Sequence, residues 1–189
     1  MRFFGRCLLY NVVAGFETSI TTSCIFSAMS SNGSEGIIVN YLAKDIISNI
    51  SSLYVIGKYS SDTDKNPYKS LIYSQLFNQI SVVSEALSVK VSSEAVVPLL
   101  GFCSAGRCVS YITSGALTAK CIQKLSPDNI GEMYAKAAII NTMGNSVGTI
   151  LGLIFITKFQ DKNIQISILP FVSFLRFITL RRIYNGILF

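Results

Sequence analysis

Between Ala137 and Thr157 the chain runs for 21 residues without one charged side chain. As an α-helix at ~1.5 Å rise per residue, such a stretch covers about 30 Å, the thickness of a bilayer's hydrocarbon core. It is either the buried core of a water-soluble bundle or a helix standing in lipid, and the rest of the chain has to decide. Half of the 189 residues are hydrophobic and only 14% are charged, against about 25% in soluble domains; the mean hydropathy is +0.49. Too little polar surface is present to coat a globule of this size in water.

Six apolar segments, at roughly 7–30, 36–57, 70–89, 95–119, 134–157 and 164–188, are separated by stretches rich in Ser, Asn, Asp, Gly, Pro and Lys. They are too long for strands of 4–8 residues and lack strict alternation, so each predicts a helix. The expected fold is all-α, a polytopic membrane bundle of about six helices, with residues 1–189 forming one domain. Segment three, "KSLIYSQLFNQISVVSEALSV", is the most polar. Gln75, Asn78, Gln79 and Glu85 give it a face that either lines a polar interior or lies flat on the membrane surface.

Segments four and five carry small residues at helical spacing: Gly106, Ser110, Ser114 and Thr118 in one, Gly144, Gly148 and Gly152 in the other. Such stripes let backbones approach closely where no water drives helices together. The two are expected to pack against each other and to support association with a second copy or a relative. In water, glycines inside a helix cost about 1 kcal/mol each, which disfavours a soluble helix pair.

Charge placement agrees. If six helices cross, the first side carries Arg2, Arg6, Lys58, Lys65, Lys69, Lys120, Lys124, Lys136, Arg181 and Arg182, and the second only Lys90, Lys158 and Lys162. That is the asymmetry of the positive-inside rule, with both termini cytosolic or in the organelle equivalent. The net charge of +6 includes no basic run longer than Arg181–Arg182, so no nucleic-acid partner is expected. The basic, then apolar start "MRFFGRCLLY" lacks a small-residue cleavage site and predicts a first membrane helix rather than a cleaved signal. Five cysteines lie mostly in apolar stretches, and histidine is absent. Neither a disulfide framework nor a metal site is expected.

Several motifs resemble one family. "NIGEMYAK", Asn129 to Lys136, followed by the Gly-rich apolar helix, is similar to an Asn-x-Gly-Asp-x-x-Ala-Lys element of the root UV-B sensitive family, whose domain is associated with vitamin B6 photoprotection and homeostasis. Lys44–Asp45 inside an apolar segment and "DTDKNPYK" before a helix resemble two further elements, and the likeness is best from Tyr41 to Phe159. The chain departs from the family pattern at Ile46, where a Gly is usual, at Thr118 in "SGALTAK", where an Arg is, and at Ala137, where an acid is. The resemblance implies a largely helical, membrane-associated protein acting through partners, family members included, in plastids, mitochondria or the endomembrane system.

Glu17, Lys44, Asp45, Arg107 and Arg176 lie inside apolar segments, where each costs about 2.5–3.5 kcal/mol on insertion scales and needs a partner. Lys44 and Asp45, adjacent and about 100° apart on a helix, are expected to reach separate neighbours. A central cluster of Asp45, Arg107 and Glu17 is expected, while Arg176 reads as a helix-end group that snorkels to the headgroups. Asp128, Asn129 and Glu132 suit a helix start, but Lys136 sits at the disfavoured end unless it meets an anion or an acid, so a phosphorylated small molecule is a candidate ligand there. P-loop, dinucleotide and nucleophile-elbow motifs are missing, and nothing local would support a Schiff base on Lys44 or Lys136. No catalysis and no cofactor are expected. Two roles compete: an interaction and homeostasis factor working by association, and a small-molecule transporter protomer with a polar site at the bundle centre. A soluble bundle for an acidic partner stands third.

Overall fold

The computed structural model describes residues 2–30, 42–50, 53–54, 65–91, 93–185 and 187–188, and among them there is no strand. The long helices are α1 (Arg2–Met29), α3 (Pro67–Leu87), α4 (Ser93–Leu125), α5 (Ile130–Lys158) and α6 (Lys162–Tyr184). A further helical stretch over 42–50 is α2. Short 3-10 turns at Ser88–Lys90 and Pro127–Asn129 join α3 to α4 and α4 to α5. Lys58 and the first three residues of the "DTDKNPYK" element, Asp62 to Asp64, lie outside the described residues.

Local chemistry sets the boundaries. Pro67 opens α3 at a position where its missing N–H costs nothing, and Pro127 stops α4 two residues after Leu125. Asp161 caps α6, its carboxylate accepting from the Asn163 amide at 2.8 Å.

α1 is the hub, packed most extensively against α5 and α6 and also touching α3 and α4. α5 rests almost wholly on α1 through its glycine face. A Cβ at Gly144 would sit 2.6 Å from Asn11 Cβ, one at Gly152 would sit 2.5 Å from Ser19 Cβ, and one at Gly148 would strike the Val12 carbonyl. Contacts that climb α1 and α5 in the same sense make the two helices parallel. Gly15 answers from α1, where a Cβ would strike the Asn145 carbonyl.

The other small-residue stripe faces a different neighbour. A Cβ at Gly106 would strike Ser81 of α3, and Ser110 Oγ accepts from Gln75 Nε2 at 2.8 Å. The expected α4–α5 pairing is therefore corrected: those helices barely touch, the α5 stripe lies on α1, and Gly106 and Ser110 of the α4 stripe lie on α3. A stripe of small residues permits close approach by any helix of complementary shape, and α1 and α3 supply the shape.

Three apolar clusters stack from end to end. Leu71, Leu117, Cys121, Leu180, Ile183 and Tyr184 close the end where α1, α3 and α5 begin. Ile20, Cys24, Val82, Ala86 and Leu169 fill the middle, and Ile25, Ala28, Met29, Val96 and Leu100 close the far end. The exterior is apolar too: Ile139, Met143, Ile150 and Ile154 of α5, Phe171 and Phe174 of α6 and Phe102 of α4 are exposed. Four helices, Phe3–Met29, Ala95–Leu125, Pro127–Lys158 and Lys162–Tyr184, are long and apolar enough to cross a membrane. α3 has the length, 21 residues, but turns Gln75, Asn78, Ser81 and Glu85 into the bundle; of the two readings of that segment, the polar-interior one holds.

The ends sort by charge as the sequence predicts. Arg6 donates to the Arg182 carbonyl at 2.6 Å, fixing the α1 start beside the α6 end, and Lys69, Lys120, Lys124 and Lys136 belong to the same end of their helices. Lys90, Lys158 and Lys162 mark the opposite end, where Lys162 Nζ meets Ser23 Oγ at 2.7 Å.

Candidate functional site: a polar cavity at the bundle centre

Between α1, α4 and α5 lies a partly open cleft of about 740 Å³, to whose lining α3 and α6 also contribute. Its walls carry Lys44, Asn78, Glu85, Arg107, Asn141, Asn145 and Arg176, interleaved with Tyr10, Tyr111, Tyr134 and Tyr184. These polar groups face inward, where they find partners that the apolar exterior of the bundle does not offer.

Two ion pairs span the helices here. Arg107 of α4 donates to Glu85 Oε2 of α3 at 2.7 Å and to Thr18 Oγ1 of α1 at 3.2 Å, and Ser104 donates to the other oxygen of Glu85 at 3.4 Å. Arg176 of α6 donates to Glu17 Oε2 of α1, to Asn78 Oδ1 of α3 at 3.3 Å and to the Tyr10 hydroxyl at 3.1 Å. Glu17 and Glu85 are 0% and 1% exposed, a burial that only close cations make tolerable. Nearer the first end, Tyr184 donates to the Ser114 carbonyl at 2.9 Å and lies 3.0 Å from Thr118 Oγ1, tying α6 to α4.

Three buried atoms in the described residues have no hydrogen-bond partner: Glu17 Oε1, Asn78 Nδ2 and Ser173 Oγ. Glu17 and Asn78 both touch Arg176, and Ser173 lies one turn before it. Orphaned buried polar atoms are uncommon enough to need a reason, and two of these three belong to residues that touch one guanidinium.

The residues singled out from the sequence divide into two groups. Lys44 and Arg107 line the cavity. Lys44 pairs with Asp45 at 3.2 Å, which corrects the expectation that adjacent residues would not meet: the flexible lysine stem swings across the angle that separates the two Cα–Cβ directions. The Asp45 side chain is about half exposed and does not join Arg107. The central cluster is therefore Glu17, Glu85, Arg107 and Arg176, and Arg176, expected at the headgroups, is buried. Asn129, Glu132 and Lys136 sit apart at the α5 start. Lys136 meets Glu132 one turn back at 2.5 Å, both exposed, so the acid it requires is on its own helix. Asn129 makes no side-chain cap.

Sequence reasoning missed Tyr10, Tyr184 and the pairing of Glu85. The signal for Glu85 was present: Gln75, Asn78 and Glu85 recur at helical spacing and trace one face of α3. What that face would meet required the fold.

A family model described as the vitamin B6 photo-protection and homoeostasis domain matches residues 3–187 of the chain. No curated protein and no solved structure matches it.

Proposed function

The chain belongs to the family defined by the vitamin B6 photo-protection and homoeostasis domain, and from that premise we propose that it is a multi-pass membrane protein that takes a small anionic solute into its central cavity and carries it between the two faces of the bilayer. A phosphorylated B6 vitamer is the solute class this reading favours. The role is binding and passage without catalysis, in a plastid, mitochondrial or endomembrane bilayer.

The cavity carries the proposal. Arg107, Arg176 and Lys44 converge on a space of about 740 Å³, large enough for a drug-sized ligand, while tyrosine rings and asparagine amides offer stacking surface and hydrogen bonds. Ionisable groups at the centre of apolar helices are costly, and where they persist they mark solute and ion pathways. The membrane setting is supported by four apolar helices of spanning length, the apolar exterior and the unequal charge of the two ends.

Two measurements test it. After alkaline carbonate washing of membranes, the protein is expected in the pellet. Reconstituted in proteoliposomes, it is expected to take up pyridoxine 5′-phosphate, and Arg107→Gln is expected to reduce that uptake at least tenfold, in the range of losing one charged hydrogen bond to the solute. Uptake equal to that of empty vesicles would remove the carrier reading.

A second reading, an interaction factor acting through association, is favoured by α5. That helix has one principal neighbour and presents Ile139, Met143, Ile150 and Ile154 outward. Because the glycine stripe is used inside the chain, a second copy or a family member would dock on this outer face. Cross-linking in membranes through cysteines placed at Met143 or Ile150 reads out that contact.

A further inference from the structure

We propose that the cleft is a sideways-open path along which the headgroup of a zwitterionic phospholipid crosses the bilayer while its acyl chains stay in the hydrocarbon, so that the protein equilibrates this lipid between the two leaflets. This rests on the membrane reading above and adds a second, amphiphilic substrate. Three features of the cleft carry it: its length, its open side and its charge balance.

Length comes first. Along α1 the cleft is lined by Cys7, Asn11, Ala14, Thr18, Thr22 and Ile25, spaced three or four residues apart and therefore on one face of the helix. From first to last they cover about 27 Å at ~1.5 Å per residue, close to the ~30 Å of a bilayer's hydrocarbon core, and α1 is one of the helices of spanning length. Between those ends the walls offer Ser104, Arg107 and Ser114 of α4 and Asn141 and Asn145 of α5, a ladder of hydrogen-bonding groups.

The open side lies between α4 and α5. Among the described residues these helices barely touch, α4 leaning on α3 and α5 on α1. Residues that line the cleft are exposed along this edge: Tyr111 of α4 is 70% exposed and Tyr134 of α5 41%, and Thr18 of α1, on the floor, is exposed as well. Gly115, one turn after Tyr111, also lines the cleft, and a Cβ there would meet nothing within 4 Å. Polar groups that look out into hydrocarbon lack partners. A phospholipid headgroup in the gap supplies them, and the apolar exterior of the bundle receives its chains.

Charge balance selects the headgroup. The cations at the cleft are each matched, Arg107 by Glu85, Arg176 by Glu17 and Lys44 by Asp45, so a ligand whose own charges cancel leaves the balance undisturbed. A phosphodiester accepts from Arg107, whose guanidinium reaches Thr18 on the floor at 3.2 Å, and an ammonium group finds the tyrosine rings at the open edge, whose faces attract organic cations.

The full chain reconstituted in phosphatidylcholine vesicles doped with a short-chain fluorescent phosphatidylcholine tests this. Albumin, which stays outside the vesicles, extracts that probe from the outer leaflet alone, so the readout does not depend on the passage of any small anion. Empty vesicles give up half of the probe; vesicles holding the unmodified chain are expected to give up nearly all of it. Gly115→Trp, whose side chain starts from open space, is expected to return extraction to half with melting in detergent unchanged. Arg107→Gln is expected to slow the exchange roughly tenfold, in the range of losing one charged hydrogen bond to the phosphate. Extraction that stops at half with the unmodified chain overturns the proposal, and pyridoxine 5′-phosphate uptake by the same vesicles then leaves the carrier reading standing. Full extraction that Gly115→Trp does not diminish also overturns it, because the lipid is then crossing elsewhere. Should Gly115→Trp fail to fold, Arg107→Gln decides, an undiminished rate being the overturning result. A chain that carbonate washing releases from membranes removes the membrane reading and this proposal together.

Discussion

Arg176 connects three helices through one guanidinium, holding Glu17 and Tyr10 of α1 and Asn78 of α3. Arg176→Met is expected to destabilise the fold by about 3–5 kcal/mol, because Glu17 stays buried after its counter-charge has gone. Adding Glu17→Leu to that variant should recover much of the loss; thermal melting in detergent of the two single variants and the double one measures the coupling. Lys136→Met should leave melting and pyridoxine 5′-phosphate binding unchanged, since its partner Glu132 is exposed and both lie outside the cavity. The sequence made legible that these central charges need partners, but not which partners. Glu17 and Arg176 are separated by 159 positions, and an apolar stretch around an arginine reads the same whether the side chain turns inward or climbs to a headgroup.

At the scale of helices, the glycines of α5 act as a fitted seam. Gly148→Leu would drive a side chain into the α1 backbone at Val12 and Phe16 and is expected to separate the two helices, seen as a large fall in melting temperature and new protease sites in the α5–α6 connection. Gly131→Ala, where an added Cβ meets nothing within 4 Å, is expected to be neutral or stabilising by up to about 1 kcal/mol. The contrast separates a packing requirement from a general intolerance of substitution. Helix number, the spacing of the stripes and the polar face of α3 were all legible in the sequence, because period and residue size are local properties. The pairing of α5 with α1, and of α4 with α3, was not, because a smooth face carries no address.

For the molecule as a whole, the two ends differ in charge in the way a bilayer would demand. Single cysteines placed at Lys124 and at Lys158 in a cysteine-free background, both positions exposed, are expected to react with an impermeant maleimide from opposite sides of sealed vesicles. The unequal charge of the two ends was the most legible feature of all, since counting lysines and arginines between apolar segments needs no knowledge of tertiary contacts. The interior was the least legible, being assembled from residues drawn from every described helix. That assembly also shapes how the chain is made. Glu17 emerges from the ribosome 159 residues ahead of Arg176, roughly 10–30 s at ordinary rates of synthesis. On the membrane reading, the first hydrophobic segment holds throughout that wait an acid whose counter-ion has not yet been translated, so its insertion would call for a shielded, water-accessible berth until the last segment arrives.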